Sequence, residues 1–123
     1  MIERGGICWL TADRPAGSRP VLVLQSEAFN RSRIPTVLVA PLAQDLRLGD
    51  APGNIIVKRR TSGLPRDAVV VVSQLAAVER ARLRATGTRL TGAVLALVEE
   101  GVRLVLGMGG RTADSGQRIA DSG

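Results

Sequence analysis

From residue 6 to residue 75 the chain repeats one pattern: a few consecutive apolar residues, many of them β-branched, then a polar stretch with Gly, Pro, Asp or Asn. Runs this short suit strands better than helices, and the turn-forming residues between them fix where each must stop. Gly6–Leu10 is the first run. Pro20–Gln25 follows, then Pro35–Leu42, Asn54–Val57 and Ala68–Leu75. The last holds four consecutive valines, Val69–Val72, and is the strongest strand signal in the chain. The first three runs are continuously apolar rather than alternating, so both faces of the strands need cover. A small curled sheet meets that need, and so does a sheet with one face taken by a partner.

The C-terminal third changes character. Glu79–Arg84 reads as one short helical turn. Thr91 is placed to cap a helix over Gly92–Leu106, on which Val94, Leu95, Val98, Val102 and Val105 share a face. Gly107 sits where a C-terminal cap glycine belongs. Gly92 and Gly101 lower the intrinsic stability of this helix, so it must depend on packing. Beyond it, Arg111–Gly116 recurs as Arg118–Gly123. The chain thus divides into one domain over 1–108 and a polar, glycine-rich tail over 109–123 that is expected to be mobile.

Absences narrow the chemistry. The 123 residues include no His, which excludes Ser-His-Asp and Cys-His nucleophile systems and every His-containing metal site. Cys8 stands alone, so neither an internal disulfide nor a four-Cys zinc site can form. Aromatic residues are 2% of the chain, Trp9 and Phe29, so the core is aliphatic and no aromatic cage can bind a ligand. No apolar run approaches the ~18 residues of a membrane helix. The N-terminus carries Glu3, Gly5 and Gly6 where a signal peptide needs an apolar run. A lone thiol suits a reducing compartment, and a cytoplasmic location is expected.

The net charge is +6, and Lys58 is the single lysine among 17 basic residues. Arginine's planar fork suits phosphate oxygens, although arginines this scattered suit a solvated surface equally well. Cys8 reads as a small buried hydrophobe rather than a nucleophile, and Trp9 as core or interface packing. Arg19-Pro20 opens the second run, so its guanidinium either stands at the rim of the sheet or is solvated in a loop. Asn30-Arg31-Ser32-Arg33 is a basic loop suited to phosphate contacts. Ser73-Gln74 ends an apolar strand and either lines a cleft or closes the strand. Asp45 and Asp50 form no obvious carboxylate pair, and no phosphate-cradling glycine motif is present.

Taken in order, Arg4–Trp9, Arg19–Gln25, Phe29–Arg31, Pro35–Leu42, Ala51–Asn54, Gly63–Asp67, Val69–Gln74 and Leu104–Gly107 resemble the MazF/PemK family of toxin endoribonucleases from bacterial toxin–antitoxin modules. The resemblance covers about residues 1–108. It implies a mainly β, α+β fold: a small twisted antiparallel sheet curled into an SH3-like half-barrel, with short helices and a C-terminal helix. It also implies a homodimer with an RNA groove along the subunit interface, and a cognate acidic, MazE-like antitoxin. The implied reaction is cleavage of single-stranded RNA at short sequence motifs. The ribose 2′-OH attacks the adjacent phosphate, leaving 2′,3′-cyclic phosphate and 5′-OH ends, with no metal and no other cofactor.

By the same resemblance Arg19 matches the family's catalytic arginine. A guanidinium is a poor general base, so the implied role is mainly charge stabilisation, with proton donation to the leaving 5′-oxygen as a second. Gln74 matches a residue that contacts RNA bases, and Ser26 lies in the loop set against the substrate. Ser26, Asn30, Arg31 and Gln74 are the expected RNA-binding residues, with Ser18 and Ser73 as auxiliary hydroxyls. Two positions depart from the family. Relatives commonly carry Thr or Ser where this chain has Ala43, and Asp13–Ser18 replaces a longer first loop. Ala43 keeps open a catalytically weak or inactive homologue that only binds antitoxin or RNA. A gyrase-poisoning toxin of the same fold is the other alternative, and it would leave Arg19-Pro20 and Ser73-Gln74 without a role.

Overall fold

The computed structural model describes residues 1–12 and 17–109 and the backbone of 118–120. Its strands are β1 (Gly6–Leu10), β2 (Arg19–Val23), β3 (Thr36–Ala43), β4 (Ile55–Val57), β5 (Ala68–Val70), β6 (Ala76–Glu79), β7 (Leu83–Arg89) and β8 (Arg118–Ala120). They form one sheet in the order β7-β1-β2-β3-β5-β4-β8, with β6 also paired to β3. Every pairing is antiparallel except that of β8 with β4. The helices are α1 (Glu27–Asn30), α2 (Arg59–Ser62) and α3 (Gly92–Leu106). This is the curled, mostly antiparallel half-barrel with a C-terminal helix that the resemblance implies.

β3 is the longest strand and the hub. Along one edge it pairs with β2; along the other its first half pairs with β6 and its last two residues with β5. Pro41 stands in the gap between β6 and β5. Leu24 N–H donates to Leu38 C=O at 3.0 Å, which makes Val21–Pro41 a non-hydrogen-bonded pair on the β2 side. The missing N–H of Pro41 therefore faces the gap, where no ladder bond is lost.

Both faces of the central strands carry a buried cluster, while Leu38 of β3 is left 48% exposed. On one face, Ile7, Leu22, Ala40, Leu42, Ile55, Val57 and Val70 pack with Val94 and Val98 of α3. On the other, Cys8, Val21, Val23, Val37 and Val39 are closed over by Ile2, Leu10, Val78 and Leu83. Of the expected helix face only Val105 escapes, being 39% exposed where α3 runs past the sheet. Thr91 takes the N-cap position without a side-chain cap bond, and Gly107 closes the helix in the left-handed region at φ +70°.

Several boundaries differ from the sequence reading. The valine-rich run is a strand only to Val70, because β4 offers no partner beyond Ile55. Val71 N–H turns instead to Pro41 C=O (3.0 Å) and Val72 N–H to Asn54 Oδ1 (3.1 Å), so Val72–Gln74 winds into a 3-10 turn. Within Glu79–Arg84 only Arg80–Arg82 is helical, again as a 3-10 turn, and the flanking residues belong to β6 and β7. Those two strands, mostly exposed and weakly apolar, carry little pattern to read. The tail also departs in part from the expected mobile segment, because Arg118–Ala120 pairs with β4. Residues 110–117 and 121–123, which include the first copy of the repeat, lie outside the described residues. No helix among the described residues is long and apolar enough to cross a membrane.

Candidate active site

Arg19 is the first residue of β2 and is exposed, with Leu10 opposite it on β1. Toward β3 the ladder runs Val23–Val39, Leu22–Ala40, Val21–Pro41. Carried two residues further, that register sets Arg19 at the level of Ala43, the last residue of β3. Ala43 is half-buried, pairs with Val69 and packs beside the cluster Ile56, Val69 and Val71. A guanidinium and a methyl group thus share the open end of the central strand pair. Ser18, next to Arg19, is exposed as well, whereas Asp13–Ala16 of the first loop lies outside the described residues.

Ser73 and Gln74 are exposed on the 3-10 turn after β5. This turn runs along β3 in the gap beside Pro41, set back a few residues from Ala43. It is clamped by Asn54, which is 2% exposed: its Nδ2 donates to Leu48 C=O at 2.9 Å while its Oδ1 accepts from Val72 N–H at 3.1 Å. Both Ser73 and Gln74 side chains are free to face solvent, so the clamp positions the turn without using its polar groups.

The remaining expected site residues lie at the opposite end of β2 and β3. Ser26 precedes α1 and is exposed, making no side-chain cap bond, and Arg31 follows α1 and is exposed too. Ser26 is seven positions beyond Arg19, so the two ends are at most about 23 Å apart at ~3.3 Å per residue. Asn30 corrects the sequence reading of an RNA-facing side chain. It is 7% exposed, and its amide donates to Gln25 C=O (3.0 Å) and accepts from Gln25 Nε2 (3.2 Å). Gln25 in turn accepts from Leu38 N–H at 3.3 Å, so the pair locks the corner between β2 and β3.

Two further groups fix that corner, and neither was apparent from the sequence. Arg80 donates to the carbonyl oxygens of Asn30 (2.8 Å), Phe29 (3.3 Å) and Ile34 (3.1 Å), holding the loop that carries Arg31. Glu27 accepts from the backbone N–H of Arg4, which holds its carboxyl below the usual carboxylate range; the Asn30 amide and the charges of Arg89 and Arg31 add to the effect. Asn54 had a readable signal, a polar amide directly ahead of an apolar run. Arg80 had none, since nothing local distinguishes it from Arg82 or Arg84. Cys8 is buried, and burial pushes its thiol above the ordinary range, so it is inert as read. Among the described residues no three Cys, Asp or Glu side chains are grouped to hold a metal ion.

The fold is a β half-barrel closed by a C-terminal helix, with an exposed arginine at the end of its central strands. The sequence matches the family described as PemK-like, MazF-like toxin of type II toxin-antitoxin system over residues 3–106, and the chain belongs to that family. Endoribonuclease MazF6 of Mycobacterium tuberculosis is 34% identical over 111 residues, covering 86% of this chain and 97% of that protein. Endoribonuclease EndoA of Bacillus subtilis is 25% identical over 113 residues, covering 88% and 97%. Among solved structures, a MazE-MazF crystal structure from Deinococcus radiodurans superposes with a TM-score of 0.71 at 22% identity, covering 88% of this chain and 97% of that one. An endoribonuclease in complex with its cognate antitoxin from a mycobacterial species gives 0.68 at 17% identity, covering 88% and 95%. At those identities the superpositions speak for the fold.

Proposed function

We propose that this chain is an endoribonuclease toxin that cleaves single-stranded RNA without a metal, works as a homodimer in the cytoplasm and is neutralised by an acidic antitoxin. The observation that carries the reading is Arg19: exposed, at the open end of the central strands, in a family whose relatives are named endoribonucleases. In the proposed step the substrate's 2′-oxygen attacks the neighbouring phosphorus as its proton leaves. The bond to the 5′-oxygen breaks, that oxygen takes up a proton, and the products carry 2′,3′-cyclic phosphate and 5′-OH ends. The chain's part is positioning and charge stabilisation. Arg19 donates to the non-bridging oxygens as negative charge builds on them, which a permanent cation does well and a proton acceptor cannot do.

The length of β2 and β3 between Arg19 and the α1 corner suits an extended strand of several nucleotides, with Gln74 beside the middle and Ser26 and Arg31 at the far end. Ala43 favours one second reading, a slow or inactive homologue that binds RNA or antitoxin, because a methyl group can neither donate a hydrogen bond nor relay a proton. Incubation with mixed-sequence RNA in EDTA, followed by mass spectrometry of fragment ends, separates the two. Cyclic-phosphate ends that decline by about two orders of magnitude in folded Arg19→Ala support the nuclease. Intact RNA supports the second reading, and undiminished cleavage by Arg19→Ala removes Arg19 from the chemistry.

A further inference from the structure

β4 is three residues long, and Ile55, Ile56 and Val57 are all buried. One edge pairs with β5. The other would end the sheet with unpaired N–H and C=O groups, an invitation to any extended chain. Arg118–Ala120 fills that edge in parallel, with Arg118 abreast of Ile55, Ile119 of Ile56 and Ala120 of Val57. Its other neighbours are α3 and the 3-10 turn Leu46–Asp50. The family match ends at residue 106, so this strand is outside what the family accounts for.

The docked strand belongs to the second copy of the repeat. Arg111–Gly116 and Arg118–Gly123 differ at one position, Thr112 against Ile119. Position 119 falls abreast of Ile56, Ile56 of Val69, and Val69 of Ala43. It therefore closes a row across four strands whose inner members, Ile56 and Val69, are buried. The single difference between the copies sits at the register position where an apolar, β-branched residue suits the row and a hydroxyl does not.

We propose that the outer edge of β4 is a strand-docking site, that its occupant is this chain's own second repeat copy, and that Ile119 selects that copy over the first. The docked strand shields the edge from other chains. The inference does not depend on nuclease activity, and its test reads none. Site-resolved amide exchange is measured on the full chain, on Ala120→Pro and on Ile119→Thr, which makes the two copies identical. The Val71 N–H to Pro41 C=O bond sets the alternation across β3, β5 and β4, so that Ile56 turns its N–H and C=O to the outer edge, where the parallel register aligns them with Arg118 C=O and Ala120 N–H; a proline at 120 removes that donor. The Ile56 amide is expected to exchange about tenfold faster or more in Ala120→Pro, and several-fold faster in Ile119→Thr, while amides of β2 and β3 keep their rates. Unchanged β4 exchange in the proline variant would overturn the docking, and wild-type exchange in the threonine variant would overturn the selection. Uniform acceleration across all strands would overturn both, since it reports general loosening rather than a freed edge.

Discussion

Replacing Gly101 by Ala tests how tightly α3 is set against the loop that leads to the candidate site. Intrinsic propensity alone favours the change by about 1 kcal/mol, since Gly101 lies inside a 15-residue helix. The packing opposes it. A Cβ at 101 would lie 2.1 Å from Gly53 O, 3.0 Å from Gly53 C and 3.2 Å from Gly53 Cα. An ordinary contact begins near 3.4 Å, so helix and loop must separate by about 1.3 Å. Both obstacles are backbone, and no side chain can swing away. Gly53 is itself at φ +83° and wedged against Gly101 and Val72, so the loop has nowhere easy to go. Overpacking of this kind costs ~1–3 kcal/mol, and backbone against backbone belongs at the upper end. The net expectation is destabilisation by about 1–2 kcal/mol. Urea denaturation measures it, with Ala96→Gly on the exposed face of the same helix calibrating the propensity term. A Gly101→Ala protein stabilised by about 1 kcal/mol would show that the contact does not exist. Because Asn54 follows Gly53 and clamps Val72, NMR shifts of Val72–Gln74 should move in the same variant.

Asn54→Ala leaves Leu48 C=O and Val72 N–H without their partner, at roughly 1–3 kcal/mol for each group left buried; a urea midpoint equal to wild type would mean that water replaces the clamp. Glu27 has a folded-state pKa below its unfolded one, so its contribution is present at neutral pH and is lost as pH falls through the lowered folded value. Glu27→Gln should flatten the fall in stability on acidification, and parallel curves for the two proteins would refute that origin. Under the nuclease reading, Ala43→Thr should raise single-turnover cleavage by about tenfold or more by restoring one positioned donor. Unchanged cleavage would mean another hydroxyl already serves, and Ser18→Ala would then lose activity.

The strands of the central sheet could be read because each is a dense apolar run whose ends are marked by Gly, Pro or Asp. α3 could be read from its single apolar face. β6 and β7 could not, because they lie on a rim where Ala76, Ala77 and most of Leu83–Arg89 are exposed, and pairing rather than burial makes them strands. The end of β5 was hidden for a different reason. Val71 and Val72 are as apolar as the residues before them, and only the absence of a partner on β4 turns the chain. At the candidate site, Arg19 was visible as a polar residue opening an apolar run and Gln74 as one near the end of another. Asn30, in a polar and basic loop, read as exposed too, yet it is buried, because the way a corner amide faces is set by its bonds to Gln25 across the α1 corner.

The arginines show why composition alone left two readings open and why both were incomplete. Short strands joined by irregular loops leave carbonyl oxygens that no ladder satisfies, and buried ones must find donors. An arginine carries five donors on one plane and reaches several such oxygens at once. Arg80 takes three; Arg82 takes Thr11 C=O at 2.9 Å and Arg89 takes Arg4 C=O at 2.8 Å. Arg4 bridges Leu24 C=O and Glu99. These residues hold the fold, and their N–H donors are engaged with backbone and carboxylate oxygens, which leaves fewer of them for direct contacts to a polyanion. What remains for phosphate is a smaller set that includes Arg19 and Arg31, one at each end of β2. Direct phosphate contacts are therefore set by where the loops release an arginine, while the long-range positive field that steers a polyanion still follows the net charge of +6.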